Sequence, residues 1–440
     1  MPASLAARRA GHHSDAAASS VVWKDAGLHV VGGPVASGNR LLVFVTGPFK
    51  SVWLDGLDPA TGRVVWRVPE TMSYATAGVF EAPAVAYGVA LAMAPTPGFG
   101  GGGVRLEGIE VANGRIAWTY PRPVAVSDLP TRCPGGPTAA SDLCVTVSVS
   151  TTVIAPSLLV LDATSGAVVE EIAHVNRLMG TGLYETQTAP PVVAAVALPL
   201  GVRWRATVSS LFGGRIYDPD YGWSFNRVGA VEIGTVGSAP GGYTFSLSSE
   251  RTVAFAAASG RVLWRDAGGY QCDAMAPVRS SFLCVGTGAI TYSPATKSTA
   301  LSPGASETIE GFAPGSGTIT WRFTTGDPHE VIAGVGVPLL DATHVLVHAA
   351  SGRLVVLDLE NGRSSPPSPS AVFWCPRTNP YSANAPLGGS TSRQGTPRYY
   401  PCDVRGHRVS ATAEPVAGVG VVDAGRFVWP DTSGLVAVSL

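Results

Sequence analysis

Six cysteines fall in three local pairs: Cys133 with Cys144, Cys272 with Cys284, and Cys375 with Cys402. An even set of short-range pairs predicts three disulfides, and with them an oxidising compartment. The zinc-type C-x2-C spacing is absent, and the pairs fall in different repeats, which argues against metal ligation and leaves free buried thiols as the alternative. His344 and His348 lie four apart on a predicted strand and face the same way, with no third ligand nearby. Asp218-Pro-Asp220-Tyr-Gly222 has the look of a calcium loop, but too few oxygen ligands follow it. Gly98 to Gly103 fits G-x-G-x-x-G, yet Val104-Arg-Leu-Glu follows where a phosphate-holding helix would have to start, so it reads as a hairpin loop. H-E-x-x-H, G-x-S-x-G and G-K-[ST] do not occur. No catalytic, cofactor-binding or metal-ligating residue is therefore assigned.

The elements that would position any site follow from a repeated frame: an acidic or small residue, glycine four positions on, and a large residue eight positions on. It reads Asp58/Gly62/Trp66, Glu110/Gly114/Trp118, Asp162/Gly166/Glu170, Asp218/Gly222/Asn226, Ala256/Gly260/Trp264, Ala313/Gly317/Trp321 and Asp358/Gly362/Pro366. A tight turn between strands needs a residue at positive φ, which glycine supplies without steric cost. Asp ahead of it bonds the turn backbone, and a Trp beyond it buries a large ring between neighbouring sheets. Short apolar runs flank each frame, as in Arg40-Leu-Leu-Val-Phe-Val45, Ser51-Val-Trp-Leu-Asp-Gly-Leu57 and Arg63-Val-Val-Trp66, giving four-stranded meanders. The glycine spacings of 52, 52, 56, 38, 57 and 45 residues match a propeller blade, and no sustained helical periodicity appears.

The C-terminus, from Glu414 to Leu440, supplies three strands and stops where a glycine turn is due, while Asp15/Ser19/Trp23 fits the frame at the other end. The expected fold is all-β: an eight-bladed β-propeller of four-stranded antiparallel blades, the last closed by the N-terminal strand. Residues 1–14 read as a disordered tail and 15–440 as one propeller domain, with a disulfide-stapled insertion at about 364–413.

Leu57-Asp-Pro-Ala-Thr-Gly-Arg-Val-Val-Trp66, Ile109-Glu-Val-Ala-Asn-Gly-Arg-Ile-Ala-Trp118 and Phe255-Ala-Ala-Ala-Ser-Gly-Arg-Val-Leu-Trp264 resemble the repeats of the pyrroloquinoline-quinone-type propeller superfamily. That superfamily includes quinoprotein alcohol dehydrogenases and non-enzymatic envelope propellers of the BamB type. The resemblance spans roughly residues 15 to 440 and rests on turn and packing residues, so it implies fold and not activity. Its dehydrogenases carry two adjacent cysteines, calcium ligands and an Asp base; this chain has no Cys-Cys pair, and none of those residues carries over.

A hydrophobic content of 45%, 14% charged residues, 53 Gly and 35 Pro suit a turn-rich β protein. A net charge of −1 with no basic stripe argues against nucleic acid. No apolar stretch is long enough for a membrane span, and Met1 to Ser20 shows Arg8-Arg9 but no apolar leader. Either the protein is cytosolic with unpaired cysteines or a leader is missing from the chain, and the cysteine pairs favour the second, an extracytoplasmic location. Two stretches stand out as partner-binding candidates. One is Ala173 to Pro190, read as a long connection between blades, with Arg177, Tyr184 and Glu185. The other is the insertion, with Phe373, Trp374, Tyr381, Tyr399 and Tyr400, read as an ordered cap or as a plug of the central channel. The expected function is a monomeric, non-catalytic binding or scaffold module without cofactor, taking a protein, peptide or glycan on its loop-bearing face. The alternative is a divergent quinone- or metal-dependent oxidoreductase.

Overall fold

The computed structural model describes residues 20–47, 51–71, 82–96, 103–133, 142–148, 156–179, 182–186, 192–197, 201–213, 223–236, 244–267, 269–270, 272, 281–293, 298–326, 337–377, 398–431 and 434–440. These residues are strands and turns apart from a five-residue helix, Val208–Phe212, and a 3-10 turn, Leu247–Ser249. Six antiparallel sheets have four strands each, and the sheet around Arg40–Thr46 has five. The architecture is that of a β-propeller.

Successive sheets are joined by one recurring device. Trp66 stands in the last strand of its sheet, opposite Gly56, with a bulge one residue before it. The bulge twists the strand and turns the indole toward the next sheet. There Trp66 Nε1 donates to Val111 O at 2.9 Å, and the ring covers Gly114, whose φ is +74°. A Cβ on Gly114 would lie 2.6 Å from Trp66 Cγ, so the turn needs glycine for space as well as for conformation. Trp118 on Gly166, Trp204 on Gly260, Trp264 on Gly317 and Trp321 on Gly362 repeat the contact. Trp23 does the same to Gly62, donating to Pro59 O at 3.0 Å. Since Val21–Asp25 pairs with Gly434–Ser439, this last docking fastens the C-terminal sheet to the first one, as the Asp15/Ser19/Trp23 frame leads one to expect.

Two joins lack the device. In the third sheet Glu170 stands where the Trp would be. The frame Asp218/Gly222/Asn226 is a misreading: Trp223–Val228 is the first strand of a sheet, pairing with Val231–Val236. The docking residue of the preceding sheet is Trp204, which puts Leu200 at the glycine position. Likewise Pro366 replaces a Trp, and the following frame has Ser19. Among the described residues, the turns covered by these indoles carry glycine.

Residues 173–190 are not one long connection: Val175–Met179 and Leu183–Thr186 are the first two strands of the Trp204 sheet. Within the insertion, Phe373–Arg377 pairs with Arg398–Cys402. Trp374 exchanges backbone hydrogen bonds with Leu339, which also bridges Val345, so this hairpin extends the His344–His348 sheet from its inner side. Trp374 is fully buried against Phe427 and Trp429 of the C-terminal sheet, and its Nε1 donates to Glu414 O. It thus packs this join from the inner side, at the opposite edge of the sheet from Pro366. Arg408 adds a bidentate pair to buried Asp431 at 2.6 and 2.9 Å. The described part of the insertion is packing material within the ring, which corrects its reading as a cap laid over it.

Candidate functional site

First strands of neighbouring sheets touch: Val35–Ser37 meets Val421–Asp423, Val85–Ala86 meets Ala125–Arg132, and Ala125–Arg132 meets Val175–Met179. Strands that approach one another across successive sheets surround the axis of the ring. Between three of them lies a cleft of about 580 Å³, lined by Val35–Ser37 and by residues 82–87 and 130–132. Such a volume is within the ~300–1,000 Å³ of ordinary ligand clefts.

Each wall is set by a hairpin. Val85–Ala86 turns into Val89–Pro95 through Tyr87 and Gly88, whose φ values are 46° and 73°. Two positive φ angles make the type I′ turn that matches strand twist and that ordinarily carries Asn-Gly. A tyrosine there is strained, and its side chain is 66% exposed beside the cleft. Ser37 precedes the turn at Gly38, and Gly38 has a φ of 58°. Thr131 and Arg132 end the third wall; Thr131 Oγ1 donates to Arg132 O at 2.7 Å. The next residue, Cys133, donates its amide to Asp142 O at 3.0 Å and is bonded to Cys144. The disulfide therefore fixes the strand end that carries Arg132.

Among the described residues the lining is Val, Ala, Pro, Ser, Thr, one Tyr and one Arg, with no carboxylate, amide or imidazole side chain. It offers apolar contact, hydroxyl groups, an aromatic ring and a cation, which suits binding and provides no acid–base pair.

The perturbed titratable groups lie elsewhere. Glu70 is buried and its carboxyl is pushed up to about 8, first by burial and then by nearby Glu107, against a bond from the Met93 amide at 2.9 Å. Asp341 is half-buried; burial would raise it, but the Thr343 amide and His344 hold it below the usual range. His344 Nδ1 lies 2.9 Å from both Asp341 oxygens, and its Nε2 lies 3.8 Å from Asp358. Among the described residues no group of three or more His, Cys, Asp or Glu is arranged to hold a metal ion.

The residues singled out in the sequence are dispersed. Arg177 and Glu185 are cross-strand neighbours in the first two strands of the Trp204 sheet. Tyr184 is buried, and burial raises its hydroxyl's pKa despite Arg205. Phe373, Trp374 and Tyr399 are buried in the core, and burial raises Tyr399 well above the ordinary phenol range. Tyr400 is half-buried, bonded to Gly406 O and faced by Arg408, while Tyr381 lies outside the described residues, as do residues 98–102 and 218–222. All six cysteines are paired as expected: Cys133–Cys144, Cys272–Cys284 and Cys375–Cys402. Tyr87 and Arg132 went unremarked in the sequence; Tyr-Gly at a hairpin position that favours Asn-Gly was the available signal.

The sheets, the Trp–Gly joins and this axial cleft define a repeat propeller of the quinoprotein-like class. The family model of the outer membrane protein assembly factor BamB matches residues 12–196 and 192–365, and the chain belongs to that family. No protein of curated function matches it. Among solved structures it is similar to a quinohemoprotein alcohol dehydrogenase from Pseudomonas putida HK5, with 13% identity over 81% of this chain and 72% of that one and a TM-score of 0.42. The quinohemoprotein alcohol dehydrogenase of Comamonas testosteroni gives 12% identity over 93% and 78%, also with a TM-score of 0.42. Dihydro-heme d1 dehydrogenase gives 14% over 76% and 65%, with a TM-score of 0.41.

Proposed function

We propose that this protein is an eight-bladed, single-domain propeller outside the cytoplasm that performs no chemistry and holds a protein, peptide or glycan partner in its axial cleft. The cleft carries the reading: three first strands bring an exposed tyrosine and an arginine to one opening, and the described lining residues include no acid–base pair. Three disulfides and membership of an envelope-protein family support the compartment. Buried aromatics in the insertion move the expected contact away from Phe373, Trp374 and Tyr399 and toward Tyr87.

Two measurements on protein purified from its native envelope test this. Partner capture by the wild type and its loss in a Tyr87→Asn/Arg132→Ala variant are expected. Co-purification of a quinone with its absorbance band, together with turnover of an alcohol, would overturn the non-catalytic reading in favour of an oxidoreductase.

A further inference from the structure

We propose that His344 is a proton-operated clasp, which ties two turns of its sheet together when its ring is charged and lets them part when the ring is neutral. It lies in a sheet that contributes nothing to the described lining of the cleft. His344 opens the strand His344–His348 and stands opposite Asp358, the last residue of Leu354–Asp358. On one side, Asp341 Oδ1 accepts from the Thr343 and His344 amides at 2.8 and 2.9 Å, and both Asp341 oxygens lie 2.9 Å from His344 Nδ1. On the other side, His344 Nε2 lies 3.8 Å from Asp358 Oδ2. Each ring nitrogen thus faces a carboxylate, which only accepts hydrogen bonds when ionised. A neutral imidazole has one N–H, and with that proton on Nδ1, bonded to Asp341, Nε2 keeps a lone pair facing the Asp358 carboxylate. The imidazolium alone suits both partners. At 3.8 Å the Nε2 contact is too long for a hydrogen bond and short enough for an ion pair, so it comes and goes with the charge.

Burial would raise the Asp341 carboxyl, but the Thr343 amide and His344 hold it below the usual range, so it stays ionised while a histidine titrates. Its share of the stability is lost only in strong acid, whereas the Nε2 contact is present in mild acid and lost as pH rises through the titration of the ring. The other charged groups nearby belong to different contacts. Glu360 and Arg363 are exposed in the turn after Asp358, and His348 and Arg353 lie toward the far ends of the two strands. The adjoining Ser364–Ser365 carries no charge, and Arg322 of the neighbouring sheet is paired with Glu310 at 2.6 Å. The two clasped turns have separate duties. The Asp358 turn closes through the Gly362 amide on Asp358 O at 2.8 Å and is covered by the Trp321 indole, 2.7 Å from where a Cβ on Gly362 would lie. The Asp341 turn follows Leu339, which holds Trp374 of the insertion by backbone hydrogen bonds of 2.7 and 3.0 Å. The charged ring therefore links the outer join at Trp321 to the inner hairpin. Its deprotonation loosens that link while the backbone bonds of each turn remain.

A double-mutant cycle of His344→Gln and Asp358→Asn on the full chain, read by urea unfolding at about pH 5 and about pH 8, tests the clasp. For a pair this exposed, a favourable coupling of about threefold in the folding equilibrium is expected at the lower pH, and none at the higher. Hydrogen exchange at the Gly362 amide, corrected for the intrinsic effect of pH, should be slower at the lower pH in the wild type and lose that difference in His344→Gln. Nitrogen NMR of the histidine rings needs no variant that must fold: in the wild type both His344 nitrogens should carry protons at the lower pH, and Nδ1 alone at the higher. A coupling equal at the two pH values, a His344 ring with a single proton at about pH 5, or Gly362 exchange with the same pH dependence in wild type and His344→Gln would overturn the proposal.

Discussion

Substituting Gly114 by alanine tests the joint between sheets, because a control is built into the same chain. Gly88 has nearly the same backbone, with a φ of 73° against 74°, but a Cβ there would meet nothing within 4 Å. Gly88→Ala therefore incurs only the left-handed penalty of about 1–2 kcal/mol, less the ~0.4–1 kcal/mol that alanine returns by restricting the unfolded chain. Gly114→Ala meets the same penalty and drives a methyl into Trp66, which forces the indole off its seat. Overpacking of that kind costs about 1–3 kcal/mol, and loss of the bond to Val111 O adds ~0.5–1.5 kcal/mol. Gly114→Ala should thus destabilise by roughly 2–5 kcal/mol, well beyond Gly88→Ala. In a Trp66→Ala background, itself destabilised by about 3–5 kcal/mol, the extra cost of Gly114→Ala should fall to that of Gly88→Ala. Urea unfolding followed by far-ultraviolet circular dichroism reads all five proteins. Equal costs at positions 88 and 114, or a cost at 114 that persists without the indole, would refute the reasoning.

Other perturbations have equally definite outcomes. Glu70 has a folded pKa of about 8 against an ordinary 4.5, so the folded state holds a proton that the unfolded state releases. Its stabilising contribution is complete below about pH 4.5 and is lost as pH rises through 8, so Glu70→Gln should flatten the decline of stability over that window in a melting series. Arg67→Ala strands the fully buried Asp55 carboxylate, which Arg67 holds at 2.6 and 2.7 Å, and should cost about 2–3 kcal/mol by urea titration, largely recovered in Asp55→Asn/Arg67→Met. Opening Cys133–Cys144 by Cys→Ser substitution at both positions should cost about 2–3 kcal/mol and weaken binding in the cleft, whereas the same change at Cys272 and Cys284 should lower stability alone.

The fold was legible because its joints are made of the two residues least easily replaced. Glycine at Gly62, Gly114 and Gly166 and tryptophan at Trp23, Trp66 and Trp118 answer a backbone angle and a large ring in one contact, so they recur at fixed spacing. The frame failed at Gly222 because the sheet before Trp204 presents Glu170 instead of an indole, and the position four before Trp204 is Leu200 and not glycine. Tracking glycine alone therefore passed over Trp204 and turned the strands at Val175–Met179 and Leu183–Thr186 into a loop. Aromatic density in the insertion was visible, but which way it faces depends on pairing across thirty residues: Trp374 pairs with Leu339 and packs on Phe427 and Trp429, long-range relations that composition does not express. The axial cleft was hidden for a similar reason, since Val35–Ser37, Val85–Ala86 and Arg132 are brought together only when three successive sheets pack side by side.

Whether the cleft is the partner site is tested most directly by a photo-crosslinking amino acid placed at position 87 in cells that make the protein, with position 116 as control. Ile116 is 54% exposed in the last strand of its sheet, away from the cleft lining. A discrete crosslinked species from position 87, absent from position 116 and lost when Arg132 is alanine, is the expected result. Crosslinks of equal yield from both positions, or none from position 87, would contradict it.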